Sequence, residues 1–126
     1  MHLSDASELD RTWHLQRAAC MAQPVPSEAQ RRADLLALKA FLKEQQSAMV
    51  QAIATDYGHR SEQETLFAEV VPVLNAIDHA LQHLAAWMRP QKRQSDWLHF
   101  WGSRNCVVPQ PLGVIGIIVP WNFPIN

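Results

Sequence analysis

The residues best suited to chemistry lie near the end of the sequence, in the turn Pro120-Trp121-Asn122-Phe123-Pro124. Its two prolines fix φ and remove two backbone donors, so the turn should be stiff. A neutral amide at Asn122 could then donate an N–H to a developing oxyanion without itself titrating. The alternative is that Asn122 bonds only to its own backbone and that Trp121 is a core side chain. Spacing alone favours this second interpretation.

Two other patterns could suggest ligand binding. Gly113 and Gly116 do not form a G-x-G-x-x-G loop, so close packing explains them better than phosphate binding. His79 and His83 are four residues apart on a predicted helix and could hold a metal, but no Glu follows His79 and no third ligand is evident. We therefore predict no metal site.

The two cysteines are Cys20 and Cys106, and they lie far apart without C-x-x-C spacing. This arrangement argues against a zinc site and provides no disulfide framework, so reduced thiols are expected. Neither suits a nucleophile. Cys106 precedes two valines and should behave as a small hydrophobic residue, and Cys20 has no base nearby in the sequence.

The overall composition predicts a soluble globular domain, with 126 residues, 48% hydrophobic and 18% charged. Eleven basic residues against twelve acidic ones give no strong field for nucleic acid or an acidic membrane. The start Met1-His2-Leu3-Ser4-Asp5 does not resemble a secretory signal, and no apolar stretch is long enough to span a membrane. We expect a cytoplasmic protein that binds neither nucleic acid nor membranes.

Helical patterns dominate the first two thirds of the sequence. Apolar spacing predicts a helix from about 7 to 22, and Ser27-Glu28-Ala29-Gln30 has the form of a capping box that begins a second helix. That helix should continue to a stop at Gly58, with a break near Ser47. Another capping box, Ser61-Glu62-Gln63-Glu64, predicts a third helix.

The third helix should bury one face and contain an interruption. The apolar positions of that face are Leu66, Val70, Val73, Leu74, Ile77, Leu81 and Leu84. Pro72 removes one backbone hydrogen bond, so a kink is expected there.

The end of the sequence changes to strand patterns. Residues 89–104 lack periodicity and predict a surface loop. Val107-Val108 and then 112–119 are short β-branched runs that predict strands. The segment 114–119 is apolar on both faces, which is typical of a central strand in a parallel sheet covered by helices. The fold class expected is therefore α/β.

The final motif, Pro111 to Pro124, closely resembles the aldehyde dehydrogenase family. Upstream segments resemble the same family, and its coniferyl aldehyde dehydrogenase branch most nearly; they are Asp56 to Ser61, Glu64-Thr65, Glu69 and Leu84 to Met88. The resemblance covers roughly Asp34 to the end.

This resemblance implies a fold and a reaction. The expected fold is a helical region with a surface loop over 1–103, leading at 104–126 into the first strands of a doubly wound dinucleotide-binding sheet, incomplete in this chain. The implied reaction is oxidation of a small aldehyde, such as coniferyl or another aromatic aldehyde, to a carboxylic acid with NAD or NADP. It would proceed through a cysteine thiohemiacetal.

The resemblance also assigns roles to residues of the turn. Asn122 would stabilise the thiohemiacetal oxyanion. The residues expected to bind the dinucleotide are Ile118, Val119, Pro120, Trp121 and Asn122. The nucleophilic Cys and the general-base Glu would come beyond Asn126, so the chain would be an inactive N-terminal piece of an enzyme that forms a homo-oligomer, a dimer or tetramer. The alternative is a non-catalytic helical interaction module that pairs with a full-length dehydrogenase subunit.

Overall fold

A computed structural model of the protein describes residues 6–96 and 98–126. The chain divides into two compact units. The first comprises Met1–Ser27 and Met88–Ile117, of which residues 1–5 and 97 lie outside the described part. The second comprises Glu28–Trp87 and Ile118–Asn126, and it contains the predicted turn.

Helix α1, Ala6–Ala22, belongs to the first unit and confirms the helix predicted over 7–22. None of its side chains is buried, and Leu9, Leu15 and Met21 are largely exposed. Helix propensity and chain-end signals therefore define this element without a packed core of its own.

Helix α2, Glu28–Tyr57, is continuous for 30 residues, so the break predicted near Ser47 is wrong. A single serine lowers helix stability by only a few tenths of a kcal/mol, and Val50 and Ile53 are buried beyond it. The predicted stop is confirmed. Gly58 has a φ of +75° and its N–H donates to the Ala54 carbonyl at 2.9 Å.

The third helical region has three parts, α3 at Glu62–Thr65, a π-helical turn at Leu66–Val70 and α4 at Val71–Trp87. Ser61 is the N-cap as predicted, because its hydroxyl accepts from the Glu64 N–H at 3.3 Å. The interruption predicted at Pro72 takes the form of the π turn that ends two residues before it. Such turns widen a helix and often occur at functional sites.

The core of the second unit forms where α2 packs against the π turn and α4. Its buried apolar side chains are Leu42, Val50, Ile53, Val70, Ile77 and Leu84. Three of these lie on the face predicted for the third helix; Leu66, Val73, Leu74 and Leu81 on that face are half-buried. An ion pair between Lys39 and Asp78 also joins α2 to α4.

The first unit contains a two-stranded antiparallel sheet of β1, Gln91–Arg93, and β2, Asn105–Val107. The loop predicted over 89–104 is therefore wrong at β1. This strand depends on pairing with β2, which lies too far along the sequence for local periodicity to predict the pair. The β2 strand confirms Val107 but excludes Val108. Between the strands, a hydrogen bond from the His99 side chain lowers the pKa of Asp96.

The strand predicted over 112–119 is wrong for this chain, because those residues adopt no regular structure. Ile117 and Ile118 are 81% and 98% exposed. A β-strand requires neighbouring strands for its backbone hydrogen bonds, and within the described residues no other segment pairs with 112–119. The described part is mostly helical with one small sheet, as an incomplete α/β domain would be.

No helix in the described ranges 6–96 and 98–126 has the length and apolar character needed to cross a membrane.

Candidate functional site

The turn predicted from the prolines is present in the second unit. The Phe123 N–H donates to the Pro120 carbonyl at 3.2 Å, which closes the turn around Trp121 and Asn122. Both of these residues are exposed, and Trp121 is 87% exposed. Among the described residues, the side-chain amide of Asn122 has no hydrogen-bond partner, so it remains available to a ligand.

The turn is held by residues at the end of α2. The Tyr57 hydroxyl donates to the Trp121 carbonyl, and Arg60 Nη1 donates to the Asn122 carbonyl at 2.6 Å. Gly58 lies between these two residues in the sequence, and its positive φ ends the helix there. The helix C-terminus and the residues after it thus supply both donors to the turn.

Arg60 is at the centre of this contact, and its side chain is only 6% exposed. Its Cζ atom lies 5.2 Å from the ring centroids of both Tyr57 and Phe123, within the range of a cation–π interaction. Its Nη2 lies 2.9 Å from Glu69 Oε1, and its Nε lies 3.8 Å from Glu64 Oε1. The guanidinium therefore joins two rings, two carboxylates and the turn.

Glu69 lies in the π turn and is fully buried. Its Oε2 accepts from the Ile125 N–H at 2.8 Å. A second contact follows from Pro72, which has no N–H to donate to the Ala68 carbonyl one helical turn earlier. Asn126 Nδ2 donates to that carbonyl at 3.4 Å. The interruption of the helix is thus also where the end of the chain attaches.

The buried charges are only partly satisfied. Arg60 Nη2 and Glu69 Oε1 are at ion-pair distance, but their alignment does not make a hydrogen bond. Within the described part, Arg60 Nε and Thr65 Oγ1 also lack hydrogen-bond partners, although Thr65 is fully buried. Removing two charges from water costs several kcal/mol per ion, and incomplete hydrogen bonding leaves part of that cost uncompensated.

Beside the turn is an open cleft of about 320 Å³. Its lining residues are Tyr57, His59, Arg60, Glu64, Asn122 and Phe123. Polar groups and aromatic surface face the same space, which suits a small molecule with an apolar body and a polar end. Among the residues that line this cleft, Asn122 contributes a neutral amide, which can donate to an oxygen without titrating.

The remaining sequence candidates lie elsewhere. In the described part, no group of three or more His, Cys, Asp or Glu side chains could hold a metal ion. His79 and His83 instead stack, with ring centroids 4.1 Å apart, and His83 Nδ1 bonds to the His79 carbonyl at 2.8 Å. Cys20 and Cys106 are both free thiols.

The predicted dinucleotide contacts form an exposed run, 118–122, that includes the first three residues of the turn. Ile118 and Trp121 are almost completely exposed, and Val119 and Pro120 are also exposed. Gly113, further upstream, has a φ of +96°, which other residues rarely adopt. The close packing predicted at Gly113 and Gly116 is wrong, because among the described residues an added Cβ would make only an ordinary contact at Gly113 and none within 4 Å at Gly116.

Comparison with known sequences indicates the same family as the motif at the turn. The sequence model of the aldehyde dehydrogenase family matches residues 1–126. The chain is 42% identical over 121 residues to a probable coniferyl aldehyde dehydrogenase of Pseudomonas aeruginosa, covering 96% of this chain and 25% of that protein. The chain belongs to the aldehyde dehydrogenase family. The predicted family resemblance is confirmed.

Two further aldehyde dehydrogenases support the branch. A coniferyl aldehyde dehydrogenase of Pseudomonas sp. is 37% identical over 86 residues, which is 68% of this chain and 17% of that protein. A probable coniferyl aldehyde dehydrogenase of Caulobacter vibrioides is 34% identical over 113 residues, 88% of this chain and 23% of that protein. The chain spans about a quarter or less of the length of these relatives.

The residues that support the turn were not among the predicted site residues. Tyr57, Arg60 and Glu69 lie in segments that carry the family resemblance, but nothing local assigned them a role. One signal was present. Glu69 is a carboxylate in the otherwise apolar run 66–74, where a buried charge must have a partner.

Proposed function

We propose that this chain forms the N-terminal part of an enzyme that oxidises an aldehyde to a carboxylic acid with NAD⁺ or NADP⁺. The observation that carries the proposal is the turn at Pro120–Pro124. Its backbone carbonyls are bonded to Tyr57 and Arg60, while the Asn122 amide stays exposed in the cleft. Membership of the aldehyde dehydrogenase family supports the same reaction.

Asn122 has the proposed role of oxyanion donor. When a cysteine thiolate attacks an aldehyde, the carbonyl oxygen gains negative charge, and an amide N–H aimed at it stabilises that charge. A donor held in place before the reaction contributes about 10²–10³ in rate. The nucleophile and the base belong to the rest of the protein in this proposal. This chain supplies the donor and the helices that hold it.

The cofactor is proposed to lie against the run that precedes the donor. Ile118, Val119 and Trp121 present exposed apolar surface next to the turn, which fits the face of a planar ring. When bound, the dinucleotide accepts hydride from the substrate carbon. Residues 104–126 would begin the NAD(P)-binding domain, with 112–119 as a strand of a doubly wound sheet, because ligands bind at the carboxyl ends of such strands.

Relatives that carry the coniferyl name support a proposal for the substrate class. We propose an aromatic aldehyde, since the cleft combines aromatic surface from Tyr57 and Phe123 with polar groups. The whole protein is proposed to be a cytoplasmic homo-oligomer, a dimer or tetramer.

The test is an activity assay on a protein that contains this chain and has the length of its curated relatives, which we call the relative-length protein. Purified protein receives coniferyl aldehyde or a simple aliphatic aldehyde, with NAD⁺ or NADP⁺, and NAD(P)H absorbance is followed. We expect reduction of at least one cofactor and a higher kcat/KM for the aromatic aldehyde. No reduction in any combination would contradict the proposal.

The role of the turn is tested by Asn122→Ala in the same protein. Loss of the amide should lower kcat about 10²–10³-fold. Asn75→Ala is the matched control, because Asn75 is exposed on α4, away from the cleft. Equal activity of the two variants would remove Asn122 from the mechanism.

A further inference from the structure

We infer that Arg60, with its partner Glu69, is a positioning residue for the site that carries Asn122. The pair binds the backbone on both sides of Pro124 and thereby sets the direction of the Asn122 amide. This inference rests on the proposed function and adds residues that act through the Asn122 donor.

Two hydrogen bonds attach the ion pair to the backbone around Pro124. Arg60 Nη1 donates to the Asn122 carbonyl at 2.6 Å, and Glu69 Oε2 accepts from the Ile125 N–H at 2.8 Å. These two groups flank Phe123 and Pro124, so the peptide units at either end of that dipeptide are both attached to the same ion pair. Rotation of either unit would break a charge-assisted hydrogen bond.

Both side chains of the ion pair are buried. Arg60 is 6% exposed and Glu69 is fully buried, yet Arg60 Nη2 and Glu69 Oε1 lack an aligned hydrogen bond. In the described part of the chain, the hydrogen bonds that these two side chains do make go to the turn and to Ile125, which follows it. An apolar pair of similar volume is often as stable as a buried ion pair or more so. The pair thus fits a conformational role better than a purely stabilising one.

Arginine suits this position better than lysine does. A guanidinium has several donors in a rigid planar fork, so it can serve a carboxylate and a carbonyl together. A lysine ammonium at position 60 would keep the positive charge beside Glu69. It is a single point charge on a flexible stem, and it would not hold the Asn122 carbonyl in the same direction. Arg60→Lys therefore separates charge from positioning.

The experiment is a double-mutant cycle in the relative-length protein, with wild type, Arg60→Lys, Asn122→Ala and the double variant. We expect Arg60→Lys to lower kcat about 10- to 100-fold, because a displacement of about 1 Å at a reacting group has effects up to that size. The dissociation constant for NAD⁺ should stay within about twofold. In the Asn122→Ala background, Arg60→Lys should change kcat by less than about twofold, since the donor it positions is absent.

Arg32→Lys serves as the control for the chemical change. Arg32 lies on α2, is 45% exposed and pairs with Glu28 at 3.7 Å. It should leave kcat and the NAD⁺ dissociation constant unchanged. If Arg60→Lys does not fold, Glu69→Gln replaces it in the cycle, because the glutamine oxygen can still accept from the Ile125 N–H while the ion pair is lost. The same dependence on Asn122 is expected.

Two results would overturn the positioning role alone. One is an equal loss of kcat on Arg60→Lys with and without Asn122, which indicates a general structural effect. The other is an Arg60→Lys protein with wild-type kcat. If Asn122→Ala itself keeps full activity, the oxyanion role falls and the positioning role falls with it, so the two failures are distinguishable.

Discussion

Two adjacent segments near the end of the chain differ sharply in how they are held. The turn and the residues after it, 120–126, accept hydrogen bonds from Tyr57 and Arg60. They also donate hydrogen bonds to Ala68 and Glu69. The segment 112–119 is more apolar, since six of its eight residues are Leu, Val or Ile, but it has no regular structure and its isoleucines are exposed.

The difference shows which part of the site the chain can build alone. Side chains from α2 and the π turn reach the turn directly and satisfy its backbone groups. Segment 112–119 would instead need neighbouring strands and covering helices, because a strand that is apolar on both faces is typical of a sheet with both faces buried. The donor of the proposed site is thus held locally, whereas its proposed cofactor wall would depend on a larger sheet.

Hydrogen exchange should give the largest contrast between the two segments. In the 126-residue chain, the amides of 114–119 should exchange at nearly the rate of an unfolded peptide. In the relative-length protein, they should exchange at least about 10³-fold more slowly, because a central strand opens only with a large part of the structure. Mass spectrometry of peptides from both proteins measures this. Equal, fast exchange in both would refute the proposed sheet.

Breaking the ion pair under the turn should have the next largest effect. Glu69→Ala removes the buried partner of Arg60 and leaves the guanidinium only the exposed Glu64 at 3.8 Å, so the free energy of unfolding should fall by about 3–5 kcal/mol. Denaturant unfolding of the relative-length protein measures the change. Glu44→Ala, at an exposed position on α2, should cost less than about 0.5 kcal/mol. A similar small loss for both variants would show that Glu69 is not a structural support.

A smaller effect is expected at the end of α2. Gly58→Ala should lower the free energy of unfolding by about 1–2 kcal/mol, because Gly58 has a φ of +75°, where a residue with a Cβ is strained. The added Cβ would meet no atom within 4 Å, so it would not clash. The cost would come from backbone strain alone. Gly58→Asn should cost less, since asparagine tolerates the left-handed region. If alanine and asparagine destabilise equally, the strain argument is wrong.

Local signals in the sequence predicted the helices well. Ser61 caps α3 and Gly58 ends α2 because both act on backbone groups within four residues, which a sequence displays directly. The turn was also predicted, since Pro120 and Pro124 restrict their own φ angles.

Non-local features were beyond sequence reasoning. Strand β1 exists through its pairing with β2, whose residues lie more than ten positions away. The contact between Arg60 and Asn122 joins residues 62 positions apart, and the π turn that holds Glu69 depends on what packs around it. A buried glutamate in an apolar run indicated that a partner existed, but not which one.

The most direct measurement of the central claim is the single-turnover rate of NAD(P)H formation in the relative-length protein, with enzyme in excess over aldehyde. This rate reports the chemical steps without product release. We expect Asn122→Ala to lower this rate about 10²–10³-fold and Asn75→Ala to leave it unchanged. A single-turnover rate in Asn122→Ala equal to that of the wild type would contradict the central claim.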